Sequence, residues 1–371
     1  MTAVPDAGRA TVGGMEAGSP SWLAAVEFMA SALDRLGRAR PEAEALLRER
    51  GLDLAAVADR SANGSCRLLR TADAWVAVNL PRADDLELLP AWLGVATDAS
   101  SVPDDPMWDG IAEALAVRDA VIVVEAAQEL GLAVALVPED AAHSDVQLTA
   151  RGTIDASRPY LRTSVGGSVN GRSVAGLRVV DLSSLWAGPL CSRLLAEAGA
   201  EVIKVESTTR PDGTRLGDPD LFAQLHIGKQ FAQVPFASGE AGSALRELIA
   251  GADVIIEGSR PRAFDRLGID PAEVLAERPG KVWLSITAYG RTGPWCNRVG
   301  FGDDTAAAAG LLDGLDVNAP RFVGDAVADP LTGVLGAALI TDAVAAGGGV
   351  LIDLALREVA RAVALRAEVQ W

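Results

Sequence analysis

Two places in the chain bring together residue types and spacings that could do chemistry. Residues 183–189, Ser-Ser-Leu-Trp-Ala-Gly-Pro, follow the apolar run Leu177–Leu182 and open an amphipathic stretch over 189–198 that stops at Gly199. A small-residue turn at a helix N-terminus presents backbone N–H groups that can hold phosphate. Pro189 suits the first helical turn, where its missing N–H would go unpaired anyway. The second place is Asp329, which precedes Pro330 and an apolar helical segment over 330–346. That order predicts Asp329 at the N-cap and Pro330 at N1. A carboxylate there is held ionised by the helix dipole and the exposed N–H groups, as a nucleophilic carboxylate must be. By pattern alone Asp329 is equally an ordinary cap, and Asp325 is its nearest rival.

The first segment invites a dinucleotide-binding reading. A further apolar run (202–205) ends in Glu206, about twenty residues past the turn, where a ribose-binding acid would sit. The glycine fingerprint is missing, however, and the bulky Trp186 stands where close pyrophosphate approach needs glycine. A nucleotide-dependent oxidoreductase is therefore disfavoured.

The elements that would position these residues alternate along the C-terminal half. Strands are expected near 178–182, 202–206, 253–257, 281–286 and 350–354, with helices near 189–198, 242–251, 271–277, 303–312, 330–346 and 355–367. That alternation predicts an α/β fold, a Rossmann-like mostly parallel sheet with helices on both faces. Thr287 and Tyr289 fall at the carboxyl end of a strand, where open α/β sheets place ligands. The N-terminal half reads as a smaller α+β domain: helices near 21–36 and 41–50, a strand at 74–79, helices near 109–116 and 119–130, and a strand-like run at 132–138. The expected division is a flexible tail (1–20), a small domain (21–162), a Gly/Ser/Asn-rich linker (163–172) and the Rossmann-like domain (173–371). Gly347-Gly348-Gly349 reads as a turn that ends a helix.

With 371 residues and 49% hydrophobic content the chain can bury a full core. A net charge of −17 and a pI near 4.6 argue against a nucleic-acid or anionic-membrane surface, yet leave room for a local cluster of donors. Cys66, Cys191 and Cys296 are too few and scattered for a disulfide framework or a metal site, and fit a reducing, cytoplasmic compartment. Cys191 and most of the eight tryptophans, from Trp22 to Trp371, are expected in the core. Two histidines, His143 and His226, exclude a His-rich metal site, and His143 is expected on the surface. No uncharged run reaches the roughly eighteen residues of a membrane span.

Segment 174–206 resembles the class III CoA-transferase family, the group that includes formyl-CoA and carnitine-CoA transferases and α-methylacyl-CoA racemases. The resemblance continues in order through AGADVIIEGSRPRAFDRLGID (250–270), KVWLSITAYGRTGPWCNRVGF (281–301) and VADPLTGVLGAALITDAV (327–344). It implies that Asp329, in Asp329-Pro-Leu-Thr-Gly333, attacks an acyl-CoA thioester, and that an acceptor carboxylic acid later takes the CoA. It implies CoA contacts at Leu185, Trp186, Ala187, Lys229, Gly258, Ser259, Arg266 and Thr287, with CoA as substrate and no permanently bound cofactor or metal. It also implies a homodimer. Without it, Lys229 and Arg266 read as solvated surface charges.

The chain departs from the family in three ways. CRLLRTADAWVAVNL resembles the family's smaller domain, yet here that domain precedes the Rossmann-like part, so the order looks circularly permuted. Glu257 is followed by Gly258-Ser259 where the family has Asn-Phe, and Ser207 and Gln230 replace basic residues. Those losses favour a second reading, a non-catalytic or partner-dependent acyl-CoA-binding homologue. Finally, racemases pair the aspartate with a histidine, because moving an α-proton requires two opposed acid/base groups. Phe301 occupies that position, so racemase activity is not expected.

Overall fold

The structure, a computed structural model, describes residues 19–54, 57–96, 103–139, 157–236, 241–313 and 319–369. The expectations for residues 1–18, His143 and Trp371 lie outside the described residues. The strands, in chain order, are β1 (Cys66–Arg70), β2 (Trp75–Asn79), β3 (Ala133–Val137), β4 (Tyr160–Ser164), β5 (Arg178–Leu182), β6 (Glu201–Ser207), β7 (Gln230–Val234), β8 (Val254–Glu257), β9 (Val282–Thr287), β10 (Leu312–Asp313), β11 (Arg321–Phe322) and β12 (Val350–Ala355).

The apolar runs of the C-terminal half become one seven-stranded sheet, ordered β4-β12-β9-β8-β5-β6-β7. Neighbours are parallel except for the edge pair β4–β12. β8 and β9 are buried throughout, which is why they read as nearly continuous apolar runs. Side-chain alternation then feeds two helix layers. Val179, Ile256, Leu284 and Ile352 face helices Ala187–Glu197, Ala328–Ala345 and Leu356–Val369, while Val180, Ile255, Trp283 and Leu351 face Ala241–Gly251, Pro261–Leu267 and Pro271–Glu277. The α/β class is as the sequence predicts.

Helix Ala328–Ala345 lies at the centre. Among the described residues it is the one helix long and apolar enough to cross a membrane, but 78% of it is buried inside the protein. A helix apolar on all sides belongs in such a core.

The antiparallel sheet β1-β2-β3 presents Val76, Val78 and Val134 to helices Leu89–Leu93, Asp105–Ala116 and Ala120–Leu130. Its other face turns Cys66, Leu68 and Ala77 toward the main core. Helix Gly302–Ala308 packs on β2 and β3 and on helices Ala328–Ala345 and Leu356–Val369, and so joins the small sheet to the helix layer of the large one.

Four stretches sit differently from the sequence reading. Segment 163–172 begins inside β4, and Val165 and Gly166 both donate backbone N–H groups to Gly349 O at 3.0 Å. Their partner turn, Gly347–Gly349, has φ of 96°, 68° and 72°, which only glycine adopts cheaply. Helix Pro20–Arg35, read with the small domain, packs on Ala328–Ala345 and Leu356–Val369. Strand β7 and helix Pro261–Leu267 were not among the expected elements, because both are short and carry no clear apolar period.

Candidate active site

The sheet reverses its winding between β5 and β8. From β5 the chain proceeds outward to β6 and β7, and from β8 outward to β9 and β12. Open α/β sheets bind ligands in the crevice beyond the carboxyl ends of strands at such a point. Two predicted segments meet there. A Cβ built on Gly258, just after β8, would lie 3.7 Å from the Ser183 Cβ at the end of β5. Leu185 turns at φ 71°, rare outside glycine, and its N–H donates to Asp212 Oδ1 at 3.0 Å.

Asp329 reaches the same region from the central helix, but not as an N-cap. Ala326, at φ 42°, donates its N–H to Asp303 Oδ1 at 2.9 Å, and its carbonyl accepts the Asp329 N–H at 2.8 Å. That turn winds the chain into the helix early: Val327 is the N-cap and already right-handed, and Ala328 begins the helix. Asp329 is therefore the second helical residue. Its carboxylate faces the backbone N–H groups of Gly302 and Ala187. Gly302 must be glycine, since a Cβ would stand 2.5 Å from Asp329 Oδ2. Among the described residues, Leu185 and Ala326 are the two non-glycines with positive φ, and both lie in turns beside this carboxylate. Backbone strain of this kind concentrates at functional sites.

The expectation of a dipole-stabilised, fully ionised carboxylate is also corrected. Burial pushes the Asp329 carboxyl up to about 7, with the Asp325 charge adding to the rise and Arg50 opposing it. Desolvation outweighs the helix terminus here. Burial likewise raises Asp304 to about 7, although it accepts from Asn79 Nδ2 at 2.8 Å and from the Phe301 N–H at 2.9 Å. Asp303 and Asp325 are raised for the same reason. Arg50 answers this acidic group: Nη1 pairs with Asp325 Oδ1 at 3.0 Å and Nε with Asp218 Oδ2 at 3.2 Å.

Other predicted residues divide. Ser259 and Gly258 line the switch point, the Ser259 N–H donating to Glu257 Oε2 at 2.8 Å. Ala187 contributes through its backbone. Thr287 ends β9 buried, with Oγ1 accepting the Gly290 N–H at 2.8 Å, and Tyr289 packs edge-on to Trp295. Arg266 is exposed in the last turn of Pro261–Leu267. Trp186 is 3% exposed, so its indole belongs to the core and not to an open ligand surface. Lys229 is also internal. Its Nζ donates to Ser192 Oγ at 2.6 Å and Pro189 O at 2.9 Å and pairs with Asp181 Oδ2 at 3.3 Å. Burial lowers it to about 8, and it lies 3.2 Å from His226 Nδ1, itself lowered by burial to about 4. In this place its charge is taken up by the buried network of Asp181, Ser192 and Pro189.

The sequence reading passed over an arginine-rich cleft of about 470 Å³ whose lining includes Arg82, Arg210, Arg260, Arg262 and Arg298, with acids such as Asp84 and Glu129. Arg82 pairs with Asp85 and Arg298 with Glu125. Arg210, Arg260 and Arg262 have no ion pair among the described residues. Burial, then the charges of Arg262, Arg82, Arg210 and Arg266, push the Arg260 guanidinium below its ordinary range. The cleft also holds four carboxylates, Asp84, Asp85, Glu125 and Glu129, but the three arginines without an ion pair among the described residues leave guanidinium donors that an anion could take. The signal in the sequence was the Arg260-Pro-Arg262 pair, which follows β8 after Gly258-Ser259. Arg50, Asn79 and Arg82 carried no such signal.

Similarity to known proteins is concentrated in the C-terminal half. The acyl-CoA transferase of Fusarium pseudograminearum is 33% identical over 208 residues, 50% of this chain and 45% of that protein. The succinate–glutarate CoA-transferase of Agrobacterium fabrum is 32% identical over 210 residues, 51% and 52% of the two chains. A solved CAIB/BAIF family protein from Brucella suis shares 32% identity over 52% of this chain and 55% of its own, with a TM-score of 0.45. The chain thus spans about half the length of the curated relatives it matches. Residues 174–369, more than half of the chain, match the model of CoA-transferase family III, and the chain belongs to that family.

Proposed function

We propose that this chain transfers CoA between carboxylic acids and that Asp329 is the nucleophile. The observation that carries the reading is the Asp329 carboxylate set against the N–H groups of Ala187 and Gly302, beside the switch-point crevice. Relatives named as an acyl-CoA transferase and a succinate–glutarate CoA-transferase support the reaction class. Asp329 attacks the thioester carbonyl and expels CoA thiolate, leaving a mixed anhydride. The thiolate then attacks the aspartyl carbonyl, releasing the donor acid and forming an aspartyl-CoA thioester. An acceptor carboxylate displaces the thiolate again, and the thiolate finally takes the acceptor's acyl group and frees Asp329. A carboxylate that ionises near neutral pH is both available and more basic than an ordinary aspartate.

The arginine cleft suits the phosphates of CoA. Arg82 lies over the Phe301 ring at 5.8 Å, and Phe301 adjoins Gly302 beside Asp329, so cleft and carboxylate are linked by consecutive contacts. The small domain's place before the matched segment is read as a circular permutation, and the working state as a homodimer in a reducing, cytoplasmic compartment. A second reading, in which another chain completes the site, draws on the exposed Leu216 (84%), Ile227 (68%) and Phe231 (49%) around edge strand β7.

Intact-protein mass spectrometry after incubation with a panel of acyl-CoA thioesters tests the reading. A hydroxylamine-labile adduct that Asp329→Ala lacks is the expected result. CoA binding without an adduct from any donor would favour the second reading.

A further inference from the structure

Three carboxylates crowd Asp329: Asp303 and Asp304 on helix Gly302–Ala308, and Asp325 in the turn before its own helix. The helix that begins at Ala187 offers a backbone N–H, as does Gly302. Arg50 is the cation whose charge bears on Asp329, and it lies outside the family-matched segment, just after helix Glu42–Leu47. Its guanidinium is held at three points. Nη1 pairs with Asp325 at 3.0 Å, Nε pairs with Asp218 at 3.2 Å, and the group lies 5.7 Å from the centre of the Trp186 ring. Trp186 immediately precedes Ala187, and Asp325 immediately precedes the strained Ala326. Arg50 therefore touches both turns that flank Asp329. Its neighbours Glu49 and Arg193 pair with each other, so they neither compete for it nor replace it.

We propose that Arg50 is a positioning residue for Asp329, clamping the Trp186 and Asp325 turns together and supplying the positive charge that lets the Asp329 carboxyl lose its proton. The proposal rests on Asp329 being the nucleophile, and it gives the N-terminal half a part in the chemistry. A cation paired with Asp325 cancels the charge that most opposes ionisation of Asp329. Removing it leaves Asp325 and Asp329 facing each other with only backbone donors to offset them. An opposite charge within about 4–6 Å moves a carboxyl by about one unit or more, and Arg50 holds Asp325, the nearest opposing carboxylate, at 3.0 Å.

The test reads the protonation of Asp329 directly, by carbon-13 NMR of the full chain labelled at aspartate, with the resonance assigned through Asp329→Asn. Arg50→Gln is expected to raise the Asp329 midpoint by about one pH unit, and Arg50→Lys to recover most of that shift. The ionised fraction at pH 7 would fall about fivefold, and so would the rate of adduct formation. An unchanged midpoint in a folded Arg50→Gln protein overturns the proposal. A purely structural role would lower the melting temperature without moving the midpoint. If Arg50→Gln does not fold, Asp325→Asn serves instead: a lowered midpoint supports the charge coupling, and an unchanged one overturns it. Persistence of the adduct in Asp329→Asn would sink the nucleophile assignment alone, since the midpoint shift is measured without turnover.

Discussion

Gly333 packs directly against Ala187: a Cβ on Gly333 would lie 2.6 Å from the Ala187 carbonyl oxygen. At that contact helices Ala187–Glu197 and Ala328–Ala345 approach at backbone distance, with Leu190 on the same side. The close approach also brings the Ala187 N–H to the Asp329 carboxylate, one turn earlier on the central helix. The glycine of the Asp-Pro-Leu-Thr-Gly segment thus acts through packing, while the aspartate acts through chemistry.

Gly333→Ala should push the two helices apart. A methyl group overpacked against backbone costs about 1–3 kcal/mol. Thermal melting should show that loss, and the yield of the Asp329 adduct should fall with it. Full stability and full yield together would contradict the packing role.

Asp329→Asn should stabilise the protein in a pH-dependent way. The carboxyl ionises near pH 7 in the folded chain and near pH 4 in the unfolded one, so ionisation favours unfolding. Its contribution is neutral below about pH 4, and native stability falls as pH rises from there through about 7. The variant should therefore exceed the parent by on the order of 1–3 kcal/mol at pH 8 and by nothing near pH 4. Melting curves at the two pH values decide the matter; a gap that does not change with pH would refute the raised midpoint.

Lys229→Met should act on stability and leave ligand affinity largely unchanged. It strips the ammonium from a buried network and leaves the Asp181 carboxylate, which burial alone would raise but Lys229 and Lys204 hold well down, with half its positive company. Removing one partner of a buried pair costs about 3–5 kcal/mol. Denaturant titration should report that loss, provided the protein still folds, and calorimetry with CoA should show little change. A large drop in affinity with the stability intact would place Lys229 on the ligand after all.

Arg260→Ala combined with Arg262→Ala should do the opposite. Both side chains border open cleft and pair with no acid among the described residues, so removing them relieves like-charge repulsion. Melting temperature should hold or rise, while affinity for CoA drops about tenfold or more, which is about 1.4 kcal/mol. The loss should shrink at high salt. Equal binding of CoA by parent and variant would remove the phosphates from this cleft.

The order of strands and helices around the site was legible from local punctuation. The apolar runs read at 178–182, 253–257 and 281–286 were followed by Ser, Gly or Thr, and Gly199 and Gly347–Gly349 closed the helices, so the turn at 183–187 and the segment at Asp329 could be located as motifs. β7 escaped because Gln-Phe-Ala-Gln-Val is a short, mostly exposed edge strand with no strict apolar alternation to read. The linker at 163–172 was misplaced for a related reason: its glycines, which look like flexible chain, pack against Gly347–Gly349.

What the amino-acid sequence determined by itself was the list of parts: a parallel α/β core, a carboxylate at the head of an apolar helix, and a small-residue turn after the first strand of the large unit's parallel sheet. Only the tertiary structure decided which charges those parts would meet. Lys229 and Arg260 look alike in sequence, yet one is sealed beneath Pro189 and Ser192 and the other opens onto a cleft. Arg50 reaches Asp325 across 275 positions of chain. Short-range pattern reports burial and turn chemistry because those depend on neighbouring residues. The charge on a carboxylate such as Asp329 depends on solvent exclusion and on ions a few ångströms away, and folding alone brings those together.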